Sequence, residues 1–154
     1  MSFVLLFGCA SPTPSNIPYT EPPSAPPGSA TLIIYRDKDS LGTAIKHFYF
    51  VNDVYIGALG NQTYTYLWVK PGPITIKWST DMKPNTEARA KPQEQMIEAG
   101  KVYYYTDKVT KSFPLPLIVV IVTTFYFETR FVPATEAIKE LATYKFVGPA
   151  IGSL

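Results

Sequence analysis

Residues 49–80 read YFVNDVYIGALGNQTYTYLWVKPGPITIKWST and hold three successive runs of strand-forming residues, VYIGAL, TYTYLWV and ITIKWST. The runs are rich in β-branched and aromatic residues, which favour strands. Asn52-Asp53 precedes the first run, and Gly60-Asn61 and Pro71-Gly72 separate the three runs. These pairs suit tight turns because Asn, Asp and Gly tolerate a positive φ and Pro presets φ. The stretch therefore predicts a β-meander.

The last two of these runs alternate in character, as residues on opposite faces of a sheet do. Ile74, Ile76 and Trp78 share one face of the third run and indicate that it points into a core. Tyr64, Tyr66 and Trp68 share one face of the second run. That aromatic row either packs the sheet or forms a platform on which sugar rings stack. We favour packing and keep glycan stacking as the alternative.

The flanking sequence completes the predicted fold. Residues 31–35 (TLIIY) predict a central strand and residues 45–51 a second strand. Residues 94–98 and 102–109 predict a further hairpin around Ala99-Gly100-Lys101. Residues 133–144 predict a helix with Thr135 as its N-cap. The fold class is therefore mainly β, an antiparallel β-sandwich of about seven strands with one short C-terminal helix.

Composition narrows the classes of function. The 154 residues carry a net charge of +2, and the basic residues are scattered singly, so the sequence predicts no nucleic-acid partner. The chain has one cysteine and one histidine, so no intramolecular disulfide or multi-cysteine metal site is available. We expect His47 to be a surface or hydrogen-bonded histidine without a metal. No catalytic motif is recognisable, and we predict neither a cofactor nor enzymatic activity.

The N-terminus predicts a lipid anchor. The apolar residues 3–7 lead into Leu6-Phe7-Gly8-Cys9-Ala10, which resembles a bacterial lipobox with Cys9 as the lipidated residue. The alternative is that Cys9 is a small buried hydrophobic residue of an N-terminal strand. The resemblance implies an outer-membrane destination, because Ala10 rather than Asp follows the cysteine. The predicted location is the periplasmic face of the outer membrane, with the lipid as the membrane anchor.

The sequence divides into three parts. Residues 1–9 are the expected signal-peptide remnant and lipobox, and residues 31–154 form the expected sandwich domain. Residues 10–30 predict a linker, since seven prolines lie among small and polar residues there: Pro12, Pro14, Pro18, Pro22, Pro23, Pro26 and Pro27. An extended linker of this kind rises about 3.1 Å per residue and could hold the domain up to about 60 Å from its anchor.

Residues 113–127 (FPLPLIVVIVTTFYF) form the most apolar segment of the domain. Phe113, Leu115 and Leu117 alternate with prolines, which a strand does not easily accommodate. The segment is either a loop folded over the sheet or a surface that contacts a protein partner or a membrane. Thr123, Thr124 and Glu128 argue against a membrane span.

The order of these motifs carries a family resemblance. Tyr35-Arg36, the run 50–59, Tyr64 and the run 71–76 resemble a widespread family of uncharacterised bacterial lipoproteins with a PEGA-like β-hairpin. The resemblance implies a β-sandwich-like fold and no activity. The sequence thus predicts a lipid-anchored β-domain that is a structural or interaction component of a cell-envelope assembly, with a protein partner. The alternative is a glycan or cell-wall binding module.

Overall fold

The structure is a computed structural model that describes residues 19–38, 45–82, 90–111 and 125–150. These ranges contain nine strands and one helix. The elements are β1 (Ala30–Arg36), β2 (His47–Val51), β3 (Val54–Leu59), β4 (Thr63–Val69), β5 (Gly72–Ser79), β6 (Gln93–Ile97), β7 (Val102–Lys111), β8 (Phe125–Val132), α1 (Ala134–Leu141) and β9 (Lys145–Phe146).

The strands form two sheets that pack as a sandwich. The five-stranded sheet has the order β8-β7-β1-β4-β9, and the four-stranded sheet has the order β3-β2-β5-β6. The pairings are antiparallel except β1 with β7 and β4 with β9, which are parallel. The predicted fold class, a mainly β sandwich with one short C-terminal helix, is confirmed, and the described ranges hold nine strands where about seven were expected.

The two ends of the sandwich are named here after β1. At the Ala30 end β1 begins, opposite the start of β7 at Val102, and at the Arg36 end β1 stops, opposite Asp107. Residues 31–35 form the predicted central strand, since β1 lies between β4 and β7 and is buried along its whole length. A continuous run of β-branched and aromatic residues suits a strand that is covered on both faces.

The main core lies between the sheets. Inward-facing apolar side chains of both sheets fill it, among them Leu32, Ile34, Tyr49, Val51, Ile56, Leu67, Ile74, Ile76, Trp78 and Tyr105. The prediction that Ile74, Ile76 and Trp78 point inward is therefore correct. Along each strand every second side chain points inward. The apolar residues of an alternating pattern therefore mark the buried face.

A second apolar cluster covers the outer face of the five-stranded sheet. Helix α1 contributes Ala137 and Leu141, and the strands contribute Ile33, Tyr35 and Tyr64. Tyr104 belongs to this outer cluster, whereas Tyr103 and Tyr105 pack in the main core, as their opposite parity along β7 predicts. The five-stranded sheet thus has apolar contacts on both faces.

Two predicted pairings are wrong. Only β2 and β3 pair as neighbours in sequence within the predicted meander, because β4 crosses into the five-stranded sheet and β5 returns to the other one. The predicted hairpin of residues 94–98 and 102–109 is also absent, since β6 pairs with β5 and β7 pairs with β1 and β8. A strand has the same alternation of apolar and polar residues whether the turn beside it leads to the same sheet or to the opposite one. The sequence pattern therefore could not distinguish these two pairings.

The helix is shorter than predicted and begins differently. It spans Ala134–Leu141, and its N-cap residue is Pro133, with no hydrogen bond from a capping side chain. Thr135 therefore lies inside the helix, which corrects the predicted N-cap. Pro133 O accepts hydrogen bonds from the backbone N–H groups of Glu136 and Ala137. The helix starts where the fixed φ of proline follows the end of β8.

Candidate functional site

Four polar side chains meet inside the sandwich at the Arg36 end. Arg36, His47, Tyr49 and Asp107 are each at most 3% exposed. Arg36 and Asp107 are cross-strand neighbours on β1 and β7, whereas His47 and Tyr49 lie on β2 of the opposite sheet. We call this group the polar cluster. It connects the two sheets by hydrogen bonds at the place where the apolar core ends.

Asp107 is the centre of the polar cluster. Its Oδ2 lies 2.5 Å from Nδ1 of His47, and its Oδ1 accepts a hydrogen bond from the Tyr49 hydroxyl. An ionised carboxylate can only accept hydrogen bonds, so Nδ1 carries the proton whenever Asp107 is charged. Burial raises the pKa of the Asp107 carboxyl, and the hydrogen bond and charge of His47 together with the charge of Arg36 oppose that shift.

Contacts on the other sides fix the orientation of Arg36 and His47. Nη1 of Arg36 donates to the carbonyl of Ile45 and lies 3.4 Å from the carbonyl oxygen of Leu59. The imidazole of His47 stacks on Trp78 with a centroid distance of 3.9 Å and an interplanar angle of 9°. An Asp-His pair is the arrangement that general bases use in enzymes. In this conformation the pair is covered on all sides, and its observed contacts connect strands.

Only part of the polar cluster could be predicted from the sequence. His47 was expected to be a surface or hydrogen-bonded histidine, and it is hydrogen-bonded and buried. Asp107 was not singled out, although a signal was present. It stands two residues after Tyr105, so it shares the inward face of β7 with Tyr103 and Tyr105. An acidic residue on the core face of a strand implies a buried partner, because an unpaired buried charge is costly.

The aromatic row on β4 does not have uniform exposure. Tyr64 is 2% exposed and contacts the rings of Tyr19 and Phe146. Tyr66 is half-buried, and its ring stacks on Phe146 at 5.7 Å and 10°. Trp68 is 38% exposed. The three share one face, as predicted, and Trp68 is the member whose ring is most open to solvent.

Part of the predicted linker packs on the domain. Residues 19–29, which we call the strap, run along the outer face of the five-stranded sheet. The ring of Tyr19 lies 5.4 Å from that of Tyr64, and Gly100 N donates to Ser29 O at 2.8 Å. A cavity of about 320 Å³ lies between the strap and the sheet, lined by strap residues 21–25 and by Thr31, Val102 and Tyr104 among others.

A second cavity of about 320 Å³ opens at the side of the sandwich, between β3 and residues 147–150. Residues 145–150, which we call the C-terminal segment, run along the edge of β4. Val147 and Ala150 pack against the main core, and Thr65 Oγ1 donates to the carbonyl of Gly148 at 2.7 Å. The segment therefore covers the open edge of the five-stranded sheet next to this cavity.

The pairing of β7 with β8 continues past the last residue pair of β7 with β1. The pairing of β7 with β1 ends at Asp107 and Arg36, but the pairing of β7 with β8 continues through Lys108 and Glu128 to Lys111 and Phe125. Residues 108–111 and 125–128 thus form a two-stranded ribbon past the Arg36 end. The remaining predicted site residues, Cys9, Phe113, Leu115 and Leu117, lie outside the described residues.

Across residues 19–38, 45–82, 90–111 and 125–150, no group of three or more His, Cys, Asp or Glu side chains could hold a metal ion. Within those same ranges, no helix has the length and apolar character that crossing a membrane requires.

Comparison with known proteins shows a family match. A family model described as "Protein of unknown function (DUF2846)" matches residues 26–116, which is more than half of the chain. The matched range begins within the strap and includes β1 to β7, and with them all four residues of the polar cluster. No protein of curated function and no solved structure matches the chain.

Proposed function

Because this chain belongs to DUF2846, a family of proteins of unknown function, we propose its role from its own residues. The proposed role is a lipid-anchored β-domain at the periplasmic face of the outer membrane. There it serves as a structural or interaction component of a cell-envelope assembly. The resemblance to lipoproteins with a PEGA-like hairpin belongs to this proposal. That resemblance depends in part on the turn between β2 and β3. Asn52 and Asp53 in this turn have φ of 47° and 64°, the backbone conformation that a tight hairpin turn requires.

The position of the strap supports a short tether. Cys9 lies ten residues before Tyr19, whose ring already contacts the domain. A chain extends at most about 3.6 Å per residue, so these ten residues span at most about 36 Å. That distance is shorter than the roughly 60 Å that a free linker over residues 10–30 would allow. A domain anchored at Cys9 would therefore stay close to the bilayer surface.

The observation that carries the interaction role is the ribbon. It adds four residue pairs beyond the last pair of β7 with β1, and its two strands lead directly into and out of the apolar stretch that contains Phe113, Leu115 and Leu117. A two-stranded ribbon without a supporting sheet is only marginally stable in water. Its length is consistent with a part that binds something outside the sandwich, and we assign it to contact with a protein partner.

The burial of the polar cluster supports a role without catalysis. His47 and Asp107 are the pair in the described residues that most resembles a general base, and they are 3% and 1% exposed. Their side chains form hydrogen bonds that connect the two sheets and do not face a cleft. We therefore assign the polar cluster to stability and the ribbon to binding.

The anchor is tested by Cys9→Ser and fractionation of cells that make either chain. The wild type is expected in the outer-membrane fraction with a fatty-acid label, and the variant in the soluble fraction without one. An unlabelled wild type that is as soluble as the variant would refute the anchor.

The partner contact is tested with a photo-crosslinking residue at Leu115 in the intact envelope. Met96 provides the control position, since it is an apolar residue that is 59% exposed on β6 at the opposite end. A single discrete adduct is expected from position 115 and none from position 96. The adduct should disappear when Phe113 and Leu117 are replaced by Ser while the protein level is unchanged. Equal labelling at the two positions would count against the role.

The alternative function, glycan or cell-wall binding, is favoured by the exposure of Trp68. A ring that is 38% exposed beside Tyr66 can stack on a sugar, whereas Tyr64 is buried. Trp68→Ala should then abolish binding to isolated cell wall and leave the thermal midpoint nearly unchanged. Val102→Ala changes an exposed apolar residue of the same sheet face and is the matched control. Binding that survives Trp68→Ala would exclude this platform.

A further inference from the structure

The strap is held on the sandwich by few buried contacts. None of its residues is buried, and the half-buried ones are Tyr19, Pro22, Ala25 and Ser29. A cavity of about 320 Å³ lies between strap residues 21–25 and the sheet. A segment with few buried contacts opens more readily than the core strands of a fold. The strap can therefore detach while the two sheets stay folded.

A ring contact holds the start of the strap. The ring centroids of Tyr19 and Tyr64 are 5.4 Å apart, and Tyr64 pairs with Tyr35 in the half of the sandwich nearer to the Arg36 end. Strap residues 21–25 lie beside Thr31 at the Ala30 end. The strap therefore runs towards the Ala30 end, and tension from the N-terminal side of the chain would act on Tyr19 first.

A tight turn fixes the other end of the strap. Ser29 N donates to Pro26 O at 3.0 Å, and Gly28 has φ of +81°. Both agree with a type II turn, which favours proline at its second position and glycine at its third, as in Pro27-Gly28. Ser29 O in turn accepts a hydrogen bond from Gly100 N at 2.8 Å. A detached strap would therefore remain fixed at Ser29.

The strap covers Thr31 on the outer face of the five-stranded sheet. Thr31 is 4% exposed, whereas its cross-strand neighbours Trp68 and Val102 are 38% and 50% exposed. Thr31 lines the cavity together with strap residues 21–25. Detachment of the strap would therefore expose Thr31, while side chains between the two sheets would stay buried.

From these contacts we propose that the strap is a reversible latch that stores tether length, with Tyr19 as the residue that holds it closed. In the closed state ten residues separate Cys9 from Tyr19, and in the open state twenty residues separate Cys9 from Ser29. The prolines keep the open strap extended at about 3.1 Å per residue, so opening adds about 31 Å to the reach of the domain. The change in reach rests on the proposed anchor at Cys9, whereas the opening itself does not.

The test measures how fast a thiol reagent labels a buried cysteine in the full chain that carries Cys9→Ser, so that the introduced cysteine is the only one. Thr31→Cys places it under the strap, and Val51→Cys places it in the main core at 0% exposure as the control. We expect position 31 to be labelled at least tenfold faster than position 51, since opening of the strap exposes position 31 alone. The rate at position 31 should also depend less on urea, because a local opening exposes little surface.

A second variant tests whether Tyr19 holds the strap closed. Tyr19→Ser should raise the labelling rate at position 31 about fivefold or more, because the ring contact with Tyr64 is lost. The rate at position 51 should not change. Tyr55→Ser removes another half-buried ring, on β3 of the opposite sheet, and is the matched control that should change neither rate.

Three results would overturn the latch. Equal rates and equal urea dependence at positions 31 and 51 would mean that the strap opens only when the whole domain unfolds. Labelling at position 31 as fast as at the exposed position of Lys70→Cys would mean that the strap is not docked in solution. A rate at position 31 that Tyr19→Ser leaves unchanged would remove Tyr19 from the latch.

The change in reach is measured separately in the acylated chain with Cys9 intact. A fluorophore at Lys70→Cys transfers energy to acceptor-labelled lipid in vesicles of phosphatidylethanolamine and phosphatidylglycerol. Tyr19→Ser should weaken this transfer, and unchanged transfer would overturn the storage of tether length. A chain that mass spectrometry shows to lack the acyl group overturns the anchor and the change in reach with it, while the labelling rates still decide whether the strap opens.

Discussion

At the scale of single residues, Asp107 is the residue that joins the other three members of the polar cluster. It accepts hydrogen bonds from His47 and Tyr49 across the two sheets and neighbours Arg36 within its own sheet. Removing one member of a buried charged group leaves the others unpaired, and this typically costs about 3–5 kcal/mol. We therefore expect Asp107→Ala to lower the free energy of unfolding by about that amount, as measured by urea denaturation.

A matched control separates this effect from the loss of any carboxylate. Glu98 pairs with Lys101 at 2.8 Å, but its side chain is 61% exposed and its φ is not positive. Solvent screens an exposed ion pair, so Glu98→Ala should change stability little. If the two variants lose the same stability, the interpretation of the polar cluster as the connection between the sheets is wrong.

Two tyrosines on the outer face make stability depend on alkaline pH. Tyr35 donates to Glu140 at 2.5 Å and Tyr144 donates to Asp37 at 2.6 Å. Burial, and secondly these hydrogen bonds to carboxylates, raise the pKa of both phenols. In the unfolded chain they ionise at a pH of about 10. Above that pH the unfolded state holds fewer protons than the folded state, so stability is complete below about pH 10 and falls as the pH rises.

The measurement is the free energy of unfolding between about pH 9 and pH 11, the range that brackets the unfolded pKa. Each group contributes at most about 1.4 kcal/mol per pH unit to the decline. Tyr35→Phe combined with Tyr144→Phe should lower stability at neutral pH and make the alkaline decline less steep. A decline with the same slope in this double variant would show that other groups cause it.

At the scale of elements, the β2–β3 hairpin depends on an irregularity beside Gly57. The register of the pair shifts between Tyr49 and Phe50, and Gly57, opposite Tyr49, has φ of +152°. A Cβ there would meet nothing within 4 Å, so the cost of a side chain lies in the backbone alone. Such backbone conformations cost residues other than glycine about 1–3 kcal/mol. We expect Gly57→Ala to destabilise the protein by that amount in denaturant titrations.

Gly60, three residues after Gly57, is the control position for this substitution. Its surroundings are equally open, and its φ lies outside the range that favours glycine. Gly60→Ala should therefore leave stability unchanged or raise it by up to about 1 kcal/mol, because alanine restricts the unfolded chain. Equal destabilisation by both substitutions would mean that packing and not the backbone at Gly57 is responsible.

The elements could be predicted from the sequence better than their pairing. Alternation and β-branched residues located β1, β4 and β5 and the inward row of Ile74, Ile76 and Trp78. The turns at Gly60-Asn61 and Pro71-Gly72 were found as turns, but each leads to the opposite sheet. A turn residue indicates the local backbone angle φ, but it does not indicate which sheet the next strand joins. That choice depends on contacts between distant residues, such as the parallel register of β1 with β7.

At the scale of the whole molecule, the sequence predicted the fold class and missed the central contacts. Tyr19 was assigned to a free linker because prolines surround it, yet its ring packs on Tyr64. Asp107 gave no recognisable motif because its partners are 60 and 71 positions earlier in the chain, at His47 and Arg36. The parity of Asp107 along β7 could have indicated its inward direction, but its partners on β1 and β2, and the packing of Tyr19 on the outer face, depend on contacts between distant parts of the chain.

The C-terminal segment completes the sandwich by covering the edge of β4. Val147 N donates to Tyr64 O at 3.1 Å and Ala150 N donates to Tyr66 O at 2.8 Å, while Val147 and Ala150 pack on the main core. An uncovered edge strand pairs readily with other chains. We therefore expect a chain that stops after Tyr144 to lose about 3 kcal/mol or more of stability, by analogy with other large losses of core contacts. We also expect it to associate in sedimentation experiments.

Adding the missing segment back tests whether the edge itself is responsible. A peptide with the sequence of residues 145–150, KFVGPA, should restore the sedimentation behaviour of the full chain and part of its stability by adding a strand to β4. A peptide with the same residues in scrambled order is the control, and a chain that stops after Ala150 gives the separate contribution of residues 151–154. Rescue by both peptides, or a shortened chain that sediments like the full one and is as stable, would show that β4 does not need this cover.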